Sequence, residues 1–122
     1  MLTLSDGTIF DNVSLSSSSS GTDGDTMVVG ARSSFYNSEF VLSSGDDSLI
    51  FGSDFFDLDS TIDLGSGSDT VVFPSAYFDG TVIDLGSDNQ ADLIRFDSLE
   101  DFNSDFSKIT IKGAGEGDIL FI

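Results

Sequence analysis

Five aspartates each open a short apolar run: Asp25 (DTMVV), Asp47 (DSLIF), Asp69 (DTVVF), Asp92 (DLIRF) and Asp118 (DILFI), at separations of 22, 22, 23 and 26 residues. A second series keeps nearly the same period, with SEFVL ending at Leu42, STIDL at Leu64, TVIDL at Leu85 and KITI at Ile111. A fixed period of this length means that each repeat is a unit too small to bury its own apolar face, so the repeats stack. The pattern predicts an all-β, single-domain β-solenoid, a β-roll-like stack of about five rungs with two short strands per rung. Its clearest unit is Ile62 to Phe73, IDLGSGSDTVVF: a strand end, a turn at Gly65 and Gly67, then Asp69 and a second strand.

The single repeat domain spans 1–122, with 1–20 as a shortened opening rung ending in a Ser-rich loop, 21–111 as four rungs and 112–122 as a closing half rung. Period-two alternation assigns the faces. In the first strand series Met27, Val29, Leu49, Phe51, Val71, Phe73, Ile94, Phe96, Leu120 and Ile122 are expected to point inward. In the second, Phe40, Leu42, Ile62, Leu64, Ile83, Leu85, Ile109 and Ile111 do the same. Phe35, Phe56, Phe78 and Phe102 fall between the strands, where they read as a stacked column at a corner or simply as core. Helix has one place only, a short turn capped by Ser98 ahead of Glu100, Asp101 and Phe102. Pro74, following a strand, interrupts nothing.

Composition narrows the function classes. Twenty-two acidic residues against four basic ones give a net charge of −18, so phosphate backbones and anionic membranes should be repelled. Neither nucleic acid nor membrane insertion is expected. The hydrophobic fraction of 39%, being periodic, argues for a packed core rather than disorder. With no Cys and no His, disulfides and the usual zinc, copper and haem ligands are absent. Residues 1–15 lack a basic start followed by an apolar run, so no cleavable N-terminal signal is expected, and the start at Met1 reads as that of a complete gene product.

Two features are candidate sites. Val28, Ile50, Val72 and Phe121 are apolar at outward positions of the first strand series, interrupted only by Arg95. Such a stripe marks a contact surface for a protein partner, for example a capsid protein, or for self-association, unless another segment of the chain folds over it. The second is the aspartate column. In-register rungs place Asp25, Asp47, Asp69 and Asp92 one above another at the inter-strand spacing of ~4.8 Å. Like charges at that distance cost roughly 0.9 kcal/mol per neighbouring pair even in water. A hard cation such as Ca²⁺, which takes six to eight oxygens from carboxylates and carbonyls, would relieve the repulsion. Asp23 and Asp46, in the same turns, are further candidate ligands. The alternative is that these are solvated aspartates of the kind turns favour without any ion.

Around these residues the chain resembles the RTX, or haemolysin-type, calcium-binding repeats, whose nonapeptide is GGxGxDxUx with U a large apolar residue. Gly65, Gly67, Asp69 and Val71 match four of its places; Gly45, Asp47 and Leu49 match three; and Gly21, Asp25 and Met27 match with Asp23 in place of a glycine. At Asp92 and Asp118 the glycines are shifted or missing, and these two read as plain turn aspartates. The segment LEDFNSDFSKITI, Leu99 to Ile111, is similar to one that closes such arrays, and the final DILFI is similar to the tail of some uncleaved secretion signals. The resemblance implies a calcium-binding module of a secreted bacterial protein. The repeats are degenerate, and the period of about 22 departs from the ~18 of two nonapeptides, which puts the glycine turns on one edge of the stack only.

Three function classes follow. Paired carboxylates, Asp46 with Asp47 or Asp57 with Asp59, are what a glycosidase would need, but they read as exposed turn acids, and no nucleophile–base pair accompanies them. The chain is therefore expected not to be an enzyme. The second class is the secreted calcium module. The third, which the small, acidic, rigid repeat with an apolar stripe favours, is a non-catalytic structural component of an assembled particle, such as a virion decoration or knob protein. Either places it extracellularly or on a virion surface.

Overall fold

In the computed structural model, which describes residues 1–17, 22–86, 88–97 and 109–122, the described residues contain strands and no helix. The chain forms a β-solenoid of three parallel sheets. The first contains β1 (Leu2–Leu4), β4 (Thr26–Val29), β7 (Ser48–Phe51), β10 (Thr70–Phe73), β13 (Leu93–Phe96) and β15 (Ile119–Phe121) in that spatial order. The second contains β2 (Ile9–Asp11), β5 (Ser34–Tyr36), β8 (Phe55–Leu58) and β11 (Ala76–Asp79). The third contains β3 (Ser14–Ser16), β6 (Glu39–Val41), β9 (Thr61–Asp63), β12 (Thr81–Asp84) and β14 (Ile109–Lys112).

The solenoid and its rung number match the sequence reading, but each complete rung carries three strands rather than two. The extra strand lies where the sequence suggested a corner. The proposed column of Phe35, Phe56 and Phe78 does not form, because Asp57, not Phe56, pairs with both Phe35 and Phe78. Phe56 therefore points outward and lies flat on Tyr77, ring centroids 5.0 Å apart. An acid at an inward position concealed the alternation that would have announced this strand. Phe102 and the Ser98 turn lie outside the described residues, as does most of Leu99 to Ile111. The opening rung, read as shortened, carries all three strands, and the closing segment adds the single strand β15.

Inward assignments in the first and third sheets hold through the middle rungs, where Val29, Leu49, Phe51, Ile62, Leu64, Val71, Phe73 and Ile83 are fully buried. Phe51, Phe73 and Phe96 stack through successive rungs at 4.6 and 5.3 Å between centroids. Stacked parallel strands place identical positions over one another, so one aromatic per rung becomes a continuous column. Ile111 joins the column of Phe40, Ile62 and Ile83, and Ile109, paired with the buried Thr81, also faces inward; both pack against the core as partly buried side chains.

The corners explain how a short rung closes. Between the second and third sheets Asn12, Asn37, Asp59 and Gly80 all have positive φ, 55°, 45°, 55° and 80°. Asn, Asp and Gly are the residues that enter this left-handed region at least cost. Between the third sheet and the first, Gly45, Gly65, Gly67 and Gly86 do the same; the glycine turns are not confined to this edge as the period suggested, since Gly7 and Gly80 serve the other two corners.

Candidate functional site

At the edge between the third sheet and the first the five aspartates form one continuous ladder. The backbone N–H of Asp25 donates to Oδ1 of Asp47 at 2.6 Å, that of Asp47 to Asp69 at 2.8 Å, that of Asp69 to Asp92 at 2.8 Å and that of Asp92 to Asp118 at 3.0 Å. Each carboxylate thus accepts from the rung before it. The position just ahead of each first-sheet strand leaves an N–H unused by the ladder of strands, and an aspartate one rung on satisfies it. Asp92 and Asp118, which the glycine pattern set apart, belong to the same ladder, so the N–H geometry and not the glycine spacing defines it.

Only half of the Asp47 and Asp69 carboxylates is satisfied. Oδ2 of Asp47 and Oδ2 of Asp69 are buried with no hydrogen-bond partner, and Asp69 is only 1% exposed. Burial pushes the Asp69 carboxyl up to about 7, against its hydrogen bond from Asp47 N–H, and the charges of Asp47, Asp92 and Asp88 push the same way. Asp47 and Asp92 are raised for the same first reason. Asp118, at the open end, is lowered because it accepts from Asp92 and Gly115 N–H groups. Burial and mutual repulsion thus both favour the protonated form of these inner carboxyls.

Of the remaining candidate ligands, Asp46 is exposed and accepts from Ser68 N–H at 2.9 Å, and Asp23 is exposed at the turn surface. Asp88, which sequence reasoning passed over, accepts from Gly67 N–H at 2.7 Å and from Gln90 N–H at 2.7 Å. The carboxylates are strung along the solenoid axis rather than converged, and among the described residues no three acidic groups gather closely enough to hold a metal ion. The fit to a calcium ion is incomplete: two orphaned oxygens are present, but no cage.

Asp57, read from sequence as an exposed turn acid, is fully buried within the second sheet. Its Oδ2 accepts from the Thr81 hydroxyl, while its Oδ1 has no partner. Burial raises its pKa, and the hydrogen bonds from Thr81 and Ser60 oppose that shift. Ser38, Ser60 and Thr81 form a buried hydroxyl column at this corner, with Ser38 N–H donating to Ser60 Oγ at 3.1 Å. The dipeptides Asn37-Ser38, Asp59-Ser60 and Gly80-Thr81 were the signal: a left-handed residue followed by a small hydroxyl, once per rung.

The residues of the apolar stripe lie in one register. Pairing through the first sheet brings Thr3, Val28, Ile50, Val72, Arg95 and Phe121 into one outward column. Ile50 is 39% exposed and Phe121 56%, while Val28 and Val72 are half-buried. Arg95 is tied to Asp97, Nη2 to Oδ2 at 2.8 Å, so its charge is partly offset locally.

The chain matches no family model, no curated protein and no solved structure.

Proposed function

We propose that this chain is a non-catalytic structural protein displayed on the surface of an assembled particle, of the kind that decorates a virion, and that it attaches through the outer face of its first sheet. The observation that carries this reading is the straight column Val28, Ile50 and Val72, continued at Phe121, on an otherwise strongly acidic body. Apolar residues aligned on one sheet face suit a flat protein contact, because burying them costs little and the repeat holds them rigid. The perturbed carboxylates support a structural role, since each is engaged with backbone N–H groups or hydroxyls of the neighbouring rung. Substituting Val72→Lys should leave the thermal melt nearly unchanged and abolish association with the particle. Unchanged association would remove the stripe from the account.

A second reading is favoured by the two orphaned oxygens of Asp47 and Asp69. They are what a calcium ion would seek in a secreted RTX-like module. Because one oxygen of each is already bound to a backbone N–H, we place this reading second.

A further inference from the structure

The two ends of the solenoid differ from its sides. Residues 1–17 carry only Asp6 and Asp11 as charged side chains, and residues 109–122 only Lys112, Glu116 and Asp118, against a net charge of −18 for the whole chain. The ends are also apolar. Leu2, in the inward column of Met27, is 42% exposed, and with Leu15, Met27 and Leu42 it lines a hollow of about 200 Å³. At the other end Ile119, Leu120, Phe121 and Ile122 are all at least half exposed. Among the described residues neither end bears the polar cap that stacked repeats use to stay soluble, and β1, β2 and β3 form an uncovered edge.

We propose that a second copy of this chain docks head to tail, its opening rung seated on the closing strands β14 and β15. Head-to-tail stacking is the arrangement that keeps the parallel pairing and the inward columns of the solenoid itself. Continuing the observed register sets Leu2 on Leu120, Leu15 on Ile111 and Thr3 on Phe121, so that the inward columns of Met27 and of Phe40 each continue through an apolar pair. The low charge of both ends selects this contact over any side-to-side one, where acidic faces would meet.

Its size sets its strength. A perimeter of about 22 residues at ~3.3 Å each encloses, with its side chains, on the order of 500 Å² per partner. That is below the ~800 Å² of a standard stable interface, so the association is weak and concentration-dependent. Because every added copy presents the same free end, growth is linear and open. The contact shares only Phe121 with the stripe, so substitution at Val72 separates the two.

Sedimentation velocity on the full chain, followed from micromolar to millimolar, tests the inference with Leu2→Glu, Leu120→Glu and an equimolar mixture of the two. The wild type should pass from the 12.9 kDa monomer to species beyond the dimer. Each variant alone should remain monomeric, and the mixture should stop at a one-to-one dimer through the two intact ends. Leu15→Glu and Ile122→Glu provide a second pair should either variant fail to keep the wild-type circular-dichroism spectrum. A wild type that stays monomeric throughout, a single variant that still dimerises, or a mixture that does not pair would overturn the proposal. Val72→Lys should stack as the wild type does.

Discussion

Replacing Asp69 by Asn isolates the energetics of the aspartate ladder. The amide keeps a carbonyl oxygen to accept the N–H of Asp47, so the ladder survives, but the buried ionisable group is gone. In the native protein this carboxyl is raised from 3.8 to about 7, chiefly by burial. A folded-state value above the unfolded one means that the native state binds the proton more tightly. The resulting stabilisation is complete below about pH 4 and is lost as the pH rises through about 7. At ~1.4 kcal/mol per unit, the three-unit shift corresponds to about 4 kcal/mol in all, of which roughly 3 kcal/mol falls between pH ~5 and pH ~8. Urea unfolding at a series of pH values in that range, with EGTA present, gives the difference in stability between variant and wild type. That difference should move in favour of Asp69→Asn by roughly 3 kcal/mol as the pH rises, whatever its offset from placing an amide nitrogen where Oδ2 lacked a partner. Asp47 and Asp92, raised in the same direction, keep part of the slope in the variant. A difference constant within about 1 kcal/mol across the range would refute the assignment of a high pKa to Asp69.

Two further substitutions test the packing. Phe73→Ala removes a fully buried ring in contact with Phe51, Phe78 and Phe96 and should cost about 3–5 kcal/mol in chemical denaturation, leaving an unstacked gap in the aromatic column. Gly67→Ala should destabilise by at least about 1–3 kcal/mol, because Gly67 has φ of 137° and an added Cβ would lie 2.0 Å from the Gly45 carbonyl oxygen; a melt within a degree of wild type would mean that the turn is looser than drawn.

What was legible in the sequence was whatever repeats without interruption. The 22-residue spacing of Asp25, Asp47 and Asp69 gave the stacking, and the alternation in Leu49–Phe51 and Val71–Phe73 gave the inward face. The second sheet was not legible because its inward column reads Phe35, Asp57, Phe78, and a buried acid looks from sequence like a turn. Its place there depends on the hydroxyl of Thr81 in the next rung, 24 residues on in the sequence, a contact that no local pattern encodes. The ladder was legible as a column but not in its chemistry. Side-chain repulsion was foreseeable from Asp spacing alone, whereas the N–H donors that hold Asp47, Asp69 and Asp92 are backbone groups, invisible as residue types.

The central claim is that backbone N–H groups of the neighbouring rung hold the aspartate column together. The most direct test is a circular-dichroism thermal melt of the purified chain near neutral pH, in excess EGTA and in millimolar calcium at matched ionic strength. The account predicts a β-rich spectrum and coincident melts in both. A large upward shift with calcium, or folding only in its presence, would contradict it and make the orphaned oxygens of Asp47 and Asp69 ion ligands, since a ligand bound to the native state alone raises its stability.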